Sequence, residues 1–174
     1  MSKSMKSSSL NYGLIAGAAL TLLYVILYLV DATLLNSFTL GLIILLGLII
    51  LGFVSTAKAK AINGGYLTFK EAFTAYFIPV AIGLLIPTLF LYVLFNFVDP
   101  ETAEFLKQEG IAQAEDLMRN FGAPESEIEK ALEDAQNQNQ NSLGSTLTRY
   151  AFILIFLSVI GLIAALTMKK KKED

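Results

Sequence analysis

Four long apolar stretches, almost free of charge between their ends, dominate the pattern of hydrophobic and polar positions along the chain. A helix of about 20 apolar residues crosses a hydrocarbon layer about 30 Å thick, and inside lipid the backbone must satisfy its own hydrogen bonds. The pattern therefore predicts an all-α fold, an integral membrane four-helix bundle. The stretches cover Tyr12–Val30, Phe38–Val54, Tyr76–Phe97 and Tyr150–Met168.

The polar segments divide the chain around these spans. Residues 1–9 are predicted to form a disordered cytoplasmic lead, and residues 10–98 hold the first three transmembrane helices. Within that unit, a cytoplasmic turn and an interfacial helix are expected at 58–75. Residues 99–148 are predicted to be an extracytoplasmic acidic helical loop. Residues 149–174 would form the fourth transmembrane helix and a basic cytoplasmic tail.

The long loop between the third and fourth spans has the signals of a helical hairpin. Its start, Asp99-Pro100-Glu101, combines an N-cap residue, a proline in the first turn and an acid near the positive end of the helix dipole. Gly122 and Pro124 end the first helix, and a second is expected at Glu125–Ala135. The following Gln136–Ser145 has no apolar periodicity and is predicted to be a flexible linker.

Basic side chains gather at alternate span ends. The connection at 31–37 holds no basic residue, and acidic residues outnumber basic ones at 99–149. Because basic residues beside a span resist translocation, both termini and the second connection are expected in the cytoplasm. The first span follows a basic lead, as a secretory signal does, but its apolar region is too long for one, so we expect it to be retained. The lysines concerned are Lys3, Lys6, Lys58, Lys60, Lys70, Lys169, Lys170, Lys171 and Lys172.

The most specific stretch lies between the second and third spans. The sequence Asn63-Gly64-Gly65 is typical of a turn that needs positive φ, and Thr68 with Glu71 fits a capping box. Apolar aromatic residues then recur at helical spacing. We interpret the stretch as a device that starts the third helix, with a ligand or lipid-headgroup site as the alternative. The candidate structural motif comprises Gly64, Gly65, Thr68, Phe69, Glu71 and Phe73.

Small residues and prolines mark candidate packing positions inside the spans. Gly13 and Gly17 form a GxxxG pair, which serves either as a dimerisation face or as packing within the chain. Pro79, Gly83 and Pro87 follow one face of the third helix. Proline removes an amide donor, so this helix is predicted to be kinked. Such a kink serves either gating or ordinary packing.

The composition narrows the available chemistry. The chain has no cysteine and no histidine, and only 16% of its residues are charged against 55% hydrophobic. Thiol chemistry is therefore excluded, and the commonest general base and metal ligand is missing. The lysines and nearly all acids lie outside the apolar stretches, so no catalytic, metal or cofactor-binding residues are predicted. Nucleic acid is not an expected partner.

Two short motifs carry a resemblance to a known family. One is Gly-Gly-aromatic-x-Thr-Phe-Lys-Glu-Ala-Phe at residues 64–73, and the other is Val98-Asp99-Pro100-Glu101 before an acidic helical loop. The chain resembles an uncharacterised bacterial family of four-span membrane proteins, domain of unknown function 4199. The resemblance implies a small protein of the bacterial inner membrane. It supplies no catalytic or binding residues, and the Asn- and Gln-rich end of the loop departs from the family pattern.

These observations lead to two functional hypotheses. The first is a non-enzymatic, multi-pass inner-membrane protein, structural or partner-binding, that contacts membrane lipid and an envelope protein through 99–148. The alternative is a small oligomeric channel or facilitator that uses the proline-kinked third helix. Whether the chain forms a homo-oligomer is left open in both cases.

Overall fold

A computed structural model describes residues 1–170, and the predicted basic tail residues Lys171 and Lys172 lie outside the described residues. Six α-helices account for nearly all of the described chain. A short 3-10 helix, Ala32–Asn36, joins the first two, and a π-helical turn, Leu94–Val98, follows the third. The α-helices are α1 (Lys3–Val30), α2 (Phe38–Ile62), α3 (Phe69–Val93), α4 (Pro100–Asn120), α5 (Glu125–Asn137) and α6 (Leu143–Met168).

Four of these helices are long and apolar enough to cross a membrane: α1, α2, α3 with its π-helical turn, and α6. Their outer surfaces carry large apolar side chains, such as Phe38 at 83% exposure and Phe152 at 77%. A contiguous apolar surface of this extent is typical of helices that face lipid. The predicted fold class, an all-α integral membrane four-helix bundle, is confirmed.

The third span is the central helix of the bundle. Helix α3 packs against α1, α2 and α6, whereas α1 and α6 do not pack against each other in the described chain. The buried positions of α3 recur every three or four residues, so one broad face of the helix is covered by its neighbours. These positions are Ala72, Ala75, Tyr76, Pro79, Val80, Gly83 and Pro87.

The ring of Tyr76 packs tightly against glycines of two neighbouring helices. A Cβ atom at Gly52 of α2 would lie 2.4 Å from the Tyr76 ring, and one at Gly161 of α6 would lie 2.7 Å from it. The Tyr76 ring is fully buried, and Phe53 meets it edge-on with ring centroids 5.9 Å apart. The two glycines therefore form a slot into which α3 inserts this aromatic side chain.

The GxxxG pair of α1 packs within the chain. A Cβ atom at Gly13 would lie 2.9 Å from Cβ of Ile82, and one at Gly17 would lie 2.6 Å from Cδ1 of Ile86. Both isoleucines belong to α3, so the small residues bring the α1 backbone close to the central helix. This face of α1 is covered by α3 within a single chain.

A hydroxyl group compensates for the missing amide of Pro79. Proline has no N–H, so the carbonyl of Ala75, four residues earlier, loses its helical partner. Ser55 of α2 donates a hydrogen bond to that carbonyl oxygen at 2.8 Å, and Ser55 is itself buried beside Ser9 of α1 at 3.2 Å between the hydroxyl oxygens. Helix α3 runs without interruption through both prolines, and the kink stays a prediction.

The prediction of a disordered lead at residues 1–9 was wrong. Helix α1 already begins at Lys3, with Ser2 as its N-cap, and Met5 and Ser9 are buried. Met5, Ser9 and the two glycines of the GxxxG pair follow one another every four residues, so they share one helical face. The serines of residues 1–9 indicated exposure to solvent, but the packed face of α1 continues through this segment.

Two other segments also differ from the predictions. Residues 58–75 contain no separate interfacial helix, because Phe69 begins α3 and the amphipathic segment continues directly into the span. The predicted linker Gln136–Ser145 is short, since α5 extends to Asn137 and α6 begins at Leu143 with Ser142 as N-cap. Polar residues cap and extend helix ends as readily as they fill linkers.

Replacing Gly52 with alanine tests the slot around Tyr76. The added methyl overlaps the ring, and overpacking of this kind costs about 1–3 kcal/mol, so we expect a clearly lower unfolding temperature for Gly52→Ala. Gly47→Ala is the matched control on the same helix, because no atom lies within 4 Å of its added Cβ. Thermal unfolding followed by circular dichroism in detergent measures both. Equal unfolding temperatures for the two variants would contradict the proposed packing.

Candidate functional site

The turn between α2 and α3 depends on two glycines. Gly64 has φ of 67° and Gly65 has φ of 90°, in the left-handed region that favours glycine. The amide of Gly65 donates to the Lys60 carbonyl at 2.8 Å, and the Asn63 side-chain amide donates to the Tyr66 carbonyl at 2.8 Å. These bonds close the turn and direct the chain back into the bundle.

Helix α3 starts with a reciprocal capping arrangement. The amide of Glu71 donates to Oγ1 of Thr68 at 3.3 Å, and the amide of Thr68 donates to Oε2 of Glu71 at 3.0 Å. Two amides that have no partner inside the helix are thereby satisfied. The second carboxylate oxygen of Glu71 lies 3.1 Å from the amino group of Met1, so α1 is also attached here.

The end of α6 is bound to the same turn. Leu67 and Lys170 exchange two backbone hydrogen bonds of 2.9 Å, and Nζ of Lys170 lies 5.6 Å from the centre of the Tyr66 ring. Leu67 is buried together with Met5 and with residues of α2, α3 and α6. We call this group of contacts the turn clamp; it comprises residues 63–71 together with Met5 and Lys170.

The structure places the sequence-predicted motif residues in different roles. Gly64, Gly65, Thr68 and Glu71 belong to the turn clamp, whereas Phe69 is exposed on the first turn of α3. The ring of Phe73 stacks on that of Phe77 with centroids 5.7 Å apart and also approaches Gly161. A shallow hollow at the turn is lined by polar groups of the turn clamp, and these groups already form hydrogen bonds within the clamp. The arrangement holds helix ends together.

The opposite end of the bundle is organised around Asp99. Its carboxylate caps α4 by accepting from the Thr102 amide at 3.0 Å, and it also accepts from the Thr102 hydroxyl at 2.6 Å and the Tyr28 hydroxyl at 2.6 Å. The hydrogen bonds from Thr102 and then from Tyr28 lower the pKa of Asp99 to about 2. Since Tyr28 lies on α1, this carboxylate attaches α4 to the bundle.

A second side chain holds α4 at the same end. Nδ2 of Asn36, in the 3-10 helix, donates to the carbonyl of Leu106 at 2.6 Å. Leu106 and Ala103 of α4 are buried against the ends of the spans. Helix α4 therefore lies over this end of the bundle at fixed positions.

A cavity of about 260 Å³ lies beneath α4. Its upper wall carries Lys107 of α4 and Arg149 of α6, and its lower part reaches Pro87 of α3. The sequence analysis missed this site because its residues come from five separate segments. The available signal was weak, since Lys107 and Arg149 are two of the four basic residues in the strongly acidic stretch 99–149.

Helix α5 is attached to α4 alone among the described helices. Arg119 of α4 bridges Glu115 at 3.0 Å and Glu125 at 2.7 Å, and Ile128 is the one buried residue of α5. Phe121, at the turn between the two helices, is 87% exposed. That the two helices form a hairpin outside the cytoplasm stays a prediction.

Within residues 1–170, no group of three or more acidic residues is arranged to hold a metal ion, and the sequence has no histidine or cysteine to join one. The charged groups of this part of the chain act in helix capping, ion pairs and solvent contact.

The hydrogen bonds of Asp99 predict a pH-dependent attachment of α4. Because the pKa of about 2 lies below the ordinary value of 3.8, the carboxylate stabilises the fold above about pH 4 and loses this effect as the pH falls towards 2. We therefore expect wild type to melt at a higher temperature than Asp99→Asn at pH 6, and the two to converge near pH 2.

Thermal unfolding of both proteins in detergent across this pH range measures the difference. Asparagine still caps a helix, so the variant removes the charge rather than the cap. Glu101→Gln is the control, since that exposed carboxylate forms no hydrogen bond with other described residues. A wild-type advantage over Asp99→Asn that is constant with pH would contradict the role of the charge.

No curated protein and no solved structure matches the chain. A protein family does match, under the description "Protein of unknown function (DUF4199)", over residues 11–170, which include all four candidate spans except the first turns of α1. The match extends over far more than half of the sequence, so the chain belongs to the DUF4199 family.

Proposed function

We propose that the protein is a non-enzymatic, multi-pass protein of the bacterial inner membrane whose α4–α5 segment binds an envelope protein on the outer side. The observation that carries this proposal is the unequal attachment of the two helices. Helix α4 is bound to the bundle through Asp99 and Asn36, whereas among the described helices α5 is bound only to α4. The bundle thereby presents α5 away from the membrane.

The distribution of charge supports an orientation with both termini in the cytoplasm. The turn clamp joins the start of α1, the α2–α3 turn and the end of α6, so these segments share one end of the bundle. The lysines of the described chain near span ends gather there, and the acidic α4 and α5 lie at the other end. Basic residues beside spans favour the cytoplasmic side.

The surface of α5 supports a partner with a basic surface. Its acidic side chains are exposed, and apart from Glu125 they form no ion pair within the described residues. The exposed Phe121 beside them supplies an apolar contact, and aromatic residues are enriched at protein interfaces. The acidic residues of α5 are Glu125, Glu127, Glu129, Glu133 and Asp134.

The non-enzymatic assignment rests on what the buried polar groups do. Ser55 and Thr56 donate to backbone carbonyls of helices, and the hydroxyl oxygens of Ser9 and Ser55 lie 3.2 Å apart. Each of these hydroxyls therefore stabilises helix contacts. The sequence also lacks the cysteine and histidine on which most nucleophiles and general bases depend.

Site-specific photocrosslinking in cells tests the partner proposal. A photoreactive residue at position 121 should give one discrete protein adduct, whereas the same residue at position 152, which is exposed on α6, should not give that adduct. Replacing Glu127, Glu129 and Glu133 with glutamine should reduce the position-121 adduct at least about fivefold, because interfacial charges steer association.

The control for this experiment neutralises exposed acids of α4. Glu101→Gln with Glu104→Gln removes charge from the same segment but not from α5, and its adduct should keep wild-type intensity. The proposal fails if position 121 gives no adduct above the level of position 152. It also fails if the α5 variant crosslinks as strongly as wild type.

A small channel or facilitator is the second candidate, and one observation favours it. The cavity beneath α4 reaches Pro87 in α3, so part of the bundle interior is open from that end. The slot around Tyr76 lies between this cavity and the turn clamp, and its fully buried ring fills the space between α2 and α6.

A flux assay in liposomes separates the two candidates. Because the Tyr76 ring blocks the interior, we expect wild type to give no ion or solute flux above that of empty liposomes. Pro79→Ala with Pro87→Ala should give the same baseline. Flux by wild type that this double variant abolishes would reject the structural assignment in favour of the channel.

A further inference from the structure

We propose that the cavity beneath α4 binds the head group of an anionic phospholipid. The cavity of about 260 Å³ lies between α1, α3, α4 and α6. Lys107 on α4 and Arg149 on α6 line it from two different elements. Two cationic side chains that converge on one space from separate helices form a site for a phosphate group.

The local electrostatics favour an anion in this space. Nζ of Lys107 donates to the Gln136 carbonyl at 2.7 Å, and Nη2 of Arg149 donates to the Gln140 carbonyl at 2.9 Å. Neither side chain lies within 4.0 Å of a carboxylate of the described chain, although the surrounding segment is strongly acidic. Lysine has three donors and arginine has five, so both keep free donors for a phosphate oxygen.

Hydroxyl groups add further binding capacity around the cavity. Tyr24 of α1, Tyr92 of α3 and Thr146 of α6 line it, and their hydroxyls form no hydrogen bond with other residues of the described chain. A phosphate ester or a glycerol head group offers acceptors to such hydroxyls. Donors therefore reach the cavity from α1, α3, α4 and α6.

Apolar side chains also line the cavity, which favours a lipid over a soluble anion. They include Leu84 and Leu91 of α3 and Ile153 of α6. Typical ligand pockets have volumes of about 300–1,000 Å³, so this cavity holds a head group and the first part of a chain rather than a whole lipid. The rest of the chain must extend into the bilayer.

The arrangement of the spans allows such an extension. Helices α1 and α6 both line the cavity, yet within residues 1–170 they do not pack against each other, so no contact between these two helices closes the cavity off from lipid. Tyr24 lies about 9 Å along the axis from the end of α1, at about 1.5 Å per residue. Because the apolar stretch of this span ends at Val30, Tyr24 lies at the level of the first part of the acyl chains. Assignment to the outer leaflet rests on the orientation proposed above, but lipid binding does not.

Native mass spectrometry of the full chain in a neutral detergent tests the proposal. Three probes are compared: dihexanoyl phosphatidylglycerol, dihexanoyl phosphatidylcholine and inorganic phosphate. We expect a single phosphatidylglycerol adduct at least about tenfold tighter than phosphatidylcholine, because charge-assisted hydrogen bonds favour the anionic lipid. Inorganic phosphate, which lacks a chain for the apolar part, should not displace it at equal concentration.

Variants assign the binding to this cavity. Lys107→Gln with Arg149→Gln should lower phosphatidylglycerol affinity about tenfold, to the phosphatidylcholine level, and Lys107→Arg with Arg149→Lys should restore it. Lys58→Gln with Lys60→Gln, at the other end of the bundle, is the matched control and should bind as wild type does. Helix content measured by circular dichroism verifies that each variant is folded.

Three results would overturn the proposal. One is equal affinity for the two lipids, and a second is a glutamine double variant that is folded and stays within about twofold of wild-type affinity. The third is displacement of phosphatidylglycerol by equal inorganic phosphate, which identifies a site for soluble anions. None of these results bears on the partner of α5, so the two proposals fail independently.

Discussion

The insertion of Tyr76 between Gly52 and Gly161 is the interaction on which the rest of the bundle depends. Lipid provides little hydrophobic drive for helix association, because acyl chains are as apolar as the side chains that face them. Close van der Waals packing must supply the attraction instead. Glycine at both flanking positions lets α2 and α6 approach one aromatic ring on α3. That single side chain thereby joins three spans.

The second constraint is that the central helix, α3, carries two prolines inside lipid, and acyl chains form no hydrogen bonds with the backbone. Ser55 donates to the carbonyl that Pro79 leaves without a partner. Tyr150 of α6 donates to the carbonyl of Ala81 at 3.1 Å, which is a carbonyl that neither proline frees. Both donors come from neighbouring spans. The hydroxyl of Tyr76 is the exception, since it is buried without a partner in the described residues. Leaving this hydroxyl without a partner costs about 1–3 kcal/mol. The bundle retains the group because the ring that carries it packs between α2 and α6.

The sequence predicted the spans and several helix starts because these depend on local patterns. Apolar length located four spans, and the Thr68–Glu71 spacing indicated the start of α3 where the structure has a capping box. The helical lead was missed because Ser9 is polar in the sequence, and only its contact with Ser55 shows why it is buried. The cavity beneath α4 was missed for the same reason. Separate segments form it, and the hydrophobic periodicity of each segment does not show that they meet in the fold.

The two ends of the bundle differ in how completely their polar groups are satisfied, and this difference indicates where function resides. At the turn clamp, Thr68 and Glu71 satisfy each other and Lys170 pairs with Leu67 through the backbone. At the other end, Lys107 and Arg149 retain free donors around an open space. Polar groups that satisfy one another stabilise a fold, whereas convergent groups with free donors are typical of a binding site. The clamp therefore fixes the helices, and the end beneath α4 is the part of the molecule suited to binding a ligand.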